Sequence, residues 1–87
     1  MPERSEIEDW HYATQKGRIA SFVARGRGNP SMISKTLKTL GGKGELSEQD
    51  LNRIILEVEK ETIEAFANDA SYASRKERLA RLREELK

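Results

Sequence analysis

The seven basic side chains of residues 10–44 have the clearest potential for chemistry. Residues 10–44 contain no acid. Their basic residues are Lys16, Arg18, Arg25, Arg27, Lys35, Lys38 and Lys43. Lysine and arginine neutralise nucleic-acid phosphates and release bound counterions, so the affinity depends steeply on salt. The basic segment 16–43 is therefore a candidate surface for contact with a phosphate backbone.

A glycine-containing loop in the middle of this segment would let the chain approach a phosphate backbone closely. Arg25, Arg27 and Asn29 lie in that loop, and the next helix would present serines and lysines outward. The candidate nucleic-acid contacts are Arg25, Arg27, Ser31, Ser34, Lys35, Lys38 and Lys43. The cations would contact phosphates, and the two serines would support positioning on the backbone.

The basic segment also has an internal interpretation. Residues 45–69 hold eight acids against Arg53 and Lys60, so the cations would instead lie against an acidic third helix of the same fold. Exposed ion pairs of that kind contribute little net stability. The two interpretations differ in whether residues 16–43 form a continuous positive surface or face that helix.

Patterns that support catalysis are scarce. His11 is the one histidine of the sequence, and its spacing from Glu8 supplies two metal ligands without a third. The run Gly41-Gly42-Lys43-Gly44 lacks the first glycine and the hydroxyl residue of a phosphate-binding loop. The sequence has no cysteine for a thiolate nucleophile or a zinc site. We therefore expect a protein that is not an enzyme, with no catalytic residue, metal or cofactor.

Composition limits the size and class of the fold. The chain has 87 residues, of which 36% are hydrophobic and 36% charged, and its formal net charge is +1. These values suit one small helical domain over 1–87 and exclude a histone-like polycation. Its apolar runs fall short of the roughly 18–20 residues of a membrane span, and the charged N-terminus differs from a secretory signal. We expect a cytoplasmic protein with no membrane partner.

Helical periodicity runs through the whole chain, and nothing alternates long enough to predict a strand. The helices are expected at about 5–25, 31–40, 47–67 and 72–86. Ser5 would cap the first helix, and Gly41 with Gly42 would stop the second through a positive φ. The sequence thus predicts an all-α protein, a small irregular four-helix bundle.

Residues 18–40 resemble a helix-turn-helix. A helix with an isoleucine-alanine pair leads through a glycine turn to a short helix with serines, lysines and an apolar ridge. The resemblance implies that the short helix lies in the major groove of DNA. Two features depart from the family. The turn 25–30 is longer than about three or four residues, and Ile33 and Leu37 are more widely spaced than is typical.

Apolar positions outside the predicted core indicate an assembly surface. Leu56 and Ile63 share a second side of the third helix, and the C-terminal helix carries a leucine seam. The candidate assembly residues are Leu56, Ile63, Leu79, Leu82 and Leu86. Segment 72–87 is therefore a candidate assembly or docking segment, and the chain a candidate homodimer.

These features together predict a small nucleic-acid-binding protein with an accessory or regulatory role. Aromatic residues are only 6% of the chain, which favours duplex DNA over a single strand that stacks on exposed rings. The alternative is a protein–protein interaction module, an adaptor or inhibitor, that acts through the acidic third helix or the leucine seam. For the basic segment, the alternative partner is an acidic protein surface.

Overall fold

The computed structural model describes residues 6–87, and it has the predicted all-α class. Its helices are α1 (Glu6–Arg25), α2 (Pro30–Gly42), α3 (Glu48–Phe66) and α4 (Tyr72–Leu86). No strand occurs among the described residues, so the prediction of a small four-helix bundle is confirmed. The predicted cap Ser5 lies outside the described residues. Within residues 6–87, no helix is long and apolar enough to cross a membrane.

Side-chain caps begin two of the helices, α2 and α3. Asn29 accepts a hydrogen bond from the Ser31 amide at 2.8 Å, and Pro30 occupies the first turn of α2. Ser47 accepts one from the Asp50 amide at 3.0 Å at the start of α3. Each cap satisfies an amide that has no partner within its own helix.

The predicted end of α2 is wrong, because the helix continues through Gly41 and Gly42. The residue with positive φ is Gly44, at 73°. The Gly44 amide donates to the Gly41 carbonyl at 3.1 Å, and the Glu45 amide donates to the Leu40 carbonyl at 3.0 Å. This pair of bonds satisfies the last carbonyls of the helix with one left-handed residue after it. The stop therefore falls two residues beyond the glycine pair.

All four helices contribute to one hydrophobic core. The buried apolar side chains are Ile19, Phe22, Val23, Ile33, Leu37, Leu40, Leu46, Ile54, Ile55, Val58, Leu79 and Leu82. Helix α1 packs on α3 and α4, and α2 packs on α4 and α1. Helix α4 therefore lies between the acidic α3 and the basic α2.

The leucine seam of α4 is part of this core, which corrects the prediction that it serves assembly. Leu79 and Leu82 are only 4% and 0% exposed, and Leu86 is partly buried against the same cluster. A heptad-like spacing has the same form whether the helix packs on its own chain or on another. Leu56 and Ile63, in contrast, are 59% and 46% exposed, so their role in assembly stays a prediction.

Candidate nucleic-acid interface

Helix α2 presents one polar and basic side outward. Ser31, Met32, Lys35 and Lys38 are exposed. The opposite side is buried and consists of Ile33, Ser34, Leu37 and Leu40. Because the helix has 13 residues, this outward side is about 20 Å long. A cationic strip of that length spans several phosphates of a duplex.

The loop before α2 holds two exposed arginines on a backbone that requires glycine. Gly26 and Gly28 have φ of 69° and 110°, a region that other residues adopt only with strain. Arg27 lies between these glycines, and Arg25 ends α1 immediately before them. Both side chains are exposed. The loop therefore carries positive charge next to the N-terminal end of α2.

Arg78 of α4 adds a third arginine at this loop, and sequence reasoning missed it. Its guanidinium donates to the Val23 carbonyl at 2.9 Å. Its Nε lies 3.2 Å from the position that a Cβ on Gly26 would occupy, so the side chain lies directly against the loop. The contact depends on how α4 docks on the end of α1, 55 residues away in sequence. No local pattern signals it.

The predicted positioning role of Ser34 is wrong, since this residue faces inward. It is only 3% exposed, and its hydroxyl donates to the Glu85 carbonyl at 2.9 Å. Ser34 follows Ile33 on the buried side of α2, so it packs with the core and fixes the end of α4. A nucleic acid has no access to its hydroxyl.

Ser31 and Lys38 remain exposed beside the C-terminal end of α4. The Ser31 hydroxyl donates to a Glu85 carboxylate oxygen at 3.1 Å, and the Lys38 ammonium donates to the Glu85 carbonyl at 3.2 Å. An ammonium has three donors, so Lys38 keeps hydrogen-bonding capacity toward a ligand. Glu85 is the acid that lies against this side of α2.

The internal interpretation of the basic segment holds for Lys16. Its ammonium lies 2.9 Å from a Glu61 oxygen and 3.0 Å from a Glu57 oxygen. The Tyr12 hydroxyl donates to the other Glu57 oxygen at 2.7 Å. Hydrogen bonds from Tyr12 and then Lys16 lower the pKa of Glu57, and those to Glu61 and Glu57 raise the pKa of Lys16. This cluster joins α1 to α3.

The other cations of the segment are arranged differently. These cations are exposed, and none of them forms an ion pair with another residue of 6–87. They are Arg18, Arg25, Arg27, Lys35, Lys38 and Lys43. Lys43 lies in the turn after α2, at the end far from the arginine loop. The basic segment therefore divides after Lys16, and its greater part is open to solvent.

Two aromatic residues near the start of α1 have different surroundings. Tyr12 packs against the core, and its hydroxyl donates to a Glu57 carboxylate oxygen. Trp10, in contrast, is 61% exposed, and its ring contacts the His11 ring edge-on, with 5.0 Å between the ring centroids. The acids Glu6, Glu8 and Asp9 occupy the same first turns. A phosphate backbone would be repelled there, so Trp10 does not extend the candidate interface.

His11 serves a contact within the chain. Its Nε2 lies 3.3 Å from a carboxylate oxygen of Glu45, in the turn between α2 and α3. Within residues 6–87, no group of three or more histidine, cysteine, aspartate or glutamate side chains is arranged to hold a metal ion. The histidine therefore links the start of α1 to that turn.

Comparison with protein-family models, with curated proteins and with solved structures finds no match to this chain. The helix-turn-helix resemblance of residues 18–40 consequently has no family match behind it. The loop between α1 and α2 spans residues 26–29, which is shorter than the sequence predicts and within the usual length of such turns.

Proposed function

We propose that this protein binds duplex DNA through a basic surface formed by α2, the chain segments at its two ends and Arg78 of α4. We call this surface the α2 face, and it consists of Arg25, Arg27, Lys35, Lys38, Lys43 and Arg78. The observation that carries the proposal is that the first five of these cations are exposed and free of ion pairs within residues 6–87. Phosphates would supply the missing negative charge.

The dimensions of α2 support a duplex as the ligand. The major groove of B-DNA is about 12 Å wide and admits an α-helix. Ser31 and Lys35 would approach the groove floor, while Arg25 and Arg27 would hold the adjoining phosphates. Arg78 would add fixed positive charge behind the loop, because its guanidinium is already bonded to the Val23 carbonyl. Such a surface positions a protein on DNA chiefly through backbone contacts.

The role that suits this binding mode is accessory or regulatory, and it requires no catalysis. A small protein on the phosphate backbone changes which other proteins reach the duplex or how readily the duplex bends. We propose that it does so in the cytoplasm. The function would depend on occupancy, and therefore on affinity at the working salt concentration.

A charge-reversal pair with a matched control tests the proposal. The test variant is Arg27→Glu/Lys35→Glu on the α2 face, and the control is Arg53→Glu/Lys60→Glu on α3. Both doubles change the net charge equally and replace exposed residues, so a general effect of charge would lower both affinities alike. We expect the test variant to bind a fluorescent duplex at least about tenfold more weakly than the control.

Equal affinities of the two variants for the duplex would contradict the proposal, as would failure of the wild-type protein to bind at low salt. Circular dichroism of both variants gives the helical content and identifies any loss caused by unfolding. A single strand of the same sequence serves as a second ligand. Tighter binding to that strand would replace duplex DNA as the proposed target.

A second candidate function is a protein-interaction module that would act through the outer side of α3. The leucine seam is not available to a partner, because Leu79 and Leu82 are buried in the core. Two acids of α3, Glu57 and Glu61, are already bound to Lys16. The specific observation in its favour is the exposure of two large apolar side chains, Leu56 and Ile63, on the outer side of α3. An adaptor or inhibitor would use that side of the helix.

A further inference from the structure

Arg78 of α4 contacts the end of α1, where the loop 26–29 begins. Its guanidinium donates to the Val23 carbonyl at 2.9 Å. Because α1 ends at Arg25, this carbonyl is one of the last four of the helix, which have no amide partner within it. A cation also interacts favourably with the negative end of the helix dipole. Arg78 therefore stabilises the end of α1 through both a hydrogen bond and its charge.

The same guanidinium lies directly against the backbone of the loop. A Cβ on Gly26 would be 3.2 Å from the Arg78 Nε, which is tighter than most Cβ contacts in proteins. The Gly26 amide donates to the Phe22 carbonyl at 2.8 Å, and its φ is 69°. The first residue of the loop is thus held between α1 and the Arg78 guanidinium.

The two ends of the loop are both restrained by the fold. Arg78 precedes Leu79, which is only 4% exposed in the core, and Arg78 itself is half-buried. At the other end of the loop, Asn29 caps α2 by accepting a hydrogen bond from the Ser31 amide. Arg27 lies between these two restraints, and its side chain is exposed. The position of its backbone therefore depends on α4 as well as on α2.

We propose that Arg78 is a positioning residue of the α2 face, which holds loop 26–29 on the end of α1 and so fixes where Arg27 meets a phosphate. This role rests on the proposed function, because it concerns the same DNA surface. A loop that is ordered before binding loses less conformational entropy on binding, so the affinity is higher. Arg78 acts through its bond to the Val23 carbonyl and its contact with Gly26, and these contacts matter more than its charge.

Trypsin cleavage after Arg27 tests these contacts without DNA, because cleavage of the folded chain requires local opening of the loop. Arg78→Met removes the guanidinium and should raise the rate of this cleavage at least about tenfold. The control variant is Arg81→Met, the same change at an exposed residue of the same helix, and it should leave the rate unchanged. The rate of cleavage after Lys43, in the turn beyond α2, is the internal control, since global unfolding raises both rates alike.

Three results of this measurement overturn the proposal. The first is an equal rate of cleavage after Arg27 in the wild type and in Arg78→Met. The second is an equal increase after Arg27 and after Lys43, which means that Arg78 supports the whole fold and not the loop in particular. The third is an equal increase in Arg81→Met.

Affinity for a fluorescent duplex tests the consequence at the DNA surface. Arg78→Lys keeps the charge but removes the guanidinium, so it should bind the duplex about fivefold more weakly than the wild type. In a chain that carries Arg27→Ala, the same change should alter the affinity less than about twofold, because the phosphate contact that Arg78 positions is already lost. In a chain that carries Lys43→Ala, at the far end of α2, the full effect should remain.

An Arg78→Lys variant that binds the duplex like the wild type overturns the positioning role, because charge alone then suffices. Equal effects of Arg78→Lys in the Arg27→Ala and Lys43→Ala chains overturn it as well. A wild-type chain that does not bind the duplex contradicts the proposed function and, with it, any role of Arg78 at DNA. The trypsin rates separate these failures, because they report on the loop whether or not DNA is bound.

Discussion

Glu57 binds Lys16 and so separates this lysine from the exposed cations of the basic segment. It accepts a hydrogen bond from the Tyr12 hydroxyl, and its other carboxylate oxygen lies 3.0 Å from the Lys16 ammonium. These contacts keep Lys16 on the α3 side of the molecule. The sequence shows that Glu57 shares a flank of α3 with Glu61 and Glu64, but the partner lies about 40 residues away. Only packing of α1 on α3 brings them together.

The lowered pKa of Glu57 predicts a specific loss of stability in acid. A carboxylate whose pKa falls on folding stabilises the protein above its unfolded pKa, near 4.5, and loses that contribution as the pH falls through the folded value. The wild-type melting temperature should therefore decrease more between about pH 7 and pH 3 than that of Glu57→Gln. Thermal unfolding followed by circular dichroism measures both.

Glu77→Gln is the control for this pH profile, since Glu77 is an exposed carboxylate on α4. Its melting temperature should follow the wild-type curve. The raised pKa of Lys16 contributes no loss in this range, because stability from a raised lysine pKa is lost only as the pH rises above the ordinary value of 10.5. Parallel profiles for wild type and Glu57→Gln would contradict the role given to the cluster.

Gly28 and Gly42 have different backbone conformations, and replacing each with alanine should change the stability in opposite directions. Gly28 has φ of 110° and no atom closer than 3.7 Å to an added Cβ, so Gly28→Ala costs about 1–3 kcal/mol through backbone strain alone. Gly42 is helical with open space around it. Gly42→Ala should therefore stabilise the protein by about 0.5–1 kcal/mol. Urea unfolding gives both values, and the same sign for both would contradict this reading of the loop.

Among the helices, α4 has the clearest test, because its leucines close the core. Leu82 is fully buried, and Leu82→Ala should lower the free energy of unfolding by about 2–5 kcal/mol. Leu56→Ala removes the same atoms from a side chain that is 59% exposed. Leu56→Ala should therefore lower the free energy of unfolding by less than about 1 kcal/mol. Equal costs in denaturant unfolding would mean that α4 does not dock on its own chain.

The helices themselves could be predicted closely from the sequence, and their ends and faces less well. Periodicity and caps such as Asn29 and Ser47 locate the helices because these signals are local. The end of α2 differs from the prediction because the amides of Gly44 and Glu45 donate to the carbonyls of Gly41 and Leu40, which extends the helix through Gly42. The polarity of Ser34 predicts an outward side chain, because the sequence does not reveal that the Glu85 carbonyl accepts its hydrogen bond inside the fold.

Part of the candidate site could be predicted from the local sequence, and part depends on contacts between residues that are distant in the sequence. The exposed cations of α2 and its loop could be predicted from the run of residues without acids. The pairing of Lys16 and the position of Arg78 could not, because each depends on contacts between distant helices. The leucine seam could not be assigned from the sequence either, because its spacing does not reveal whether the leucines pack on their own chain or on another chain.

For the whole molecule, the net charge of +1 conceals a separation of charge between surfaces. Helix α3 carries acids toward α1 and solvent, while α2 and its loop carry cations on the other side of α4. A nucleic acid would meet the cationic side first, because its own charge is repelled by α3. The nearly neutral total therefore does not oppose a DNA partner.

The most direct test of DNA binding is the salt dependence of affinity for a duplex. If the five exposed cations of the α2 face each neutralise one phosphate, log K should fall with log salt at a slope of about −4.5. Arg27→Glu/Lys35→Glu should make that slope shallower by about 2, while Arg53→Glu/Lys60→Glu leaves it unchanged. A slope near zero for the wild type, or equal slopes for both variants, would contradict the account.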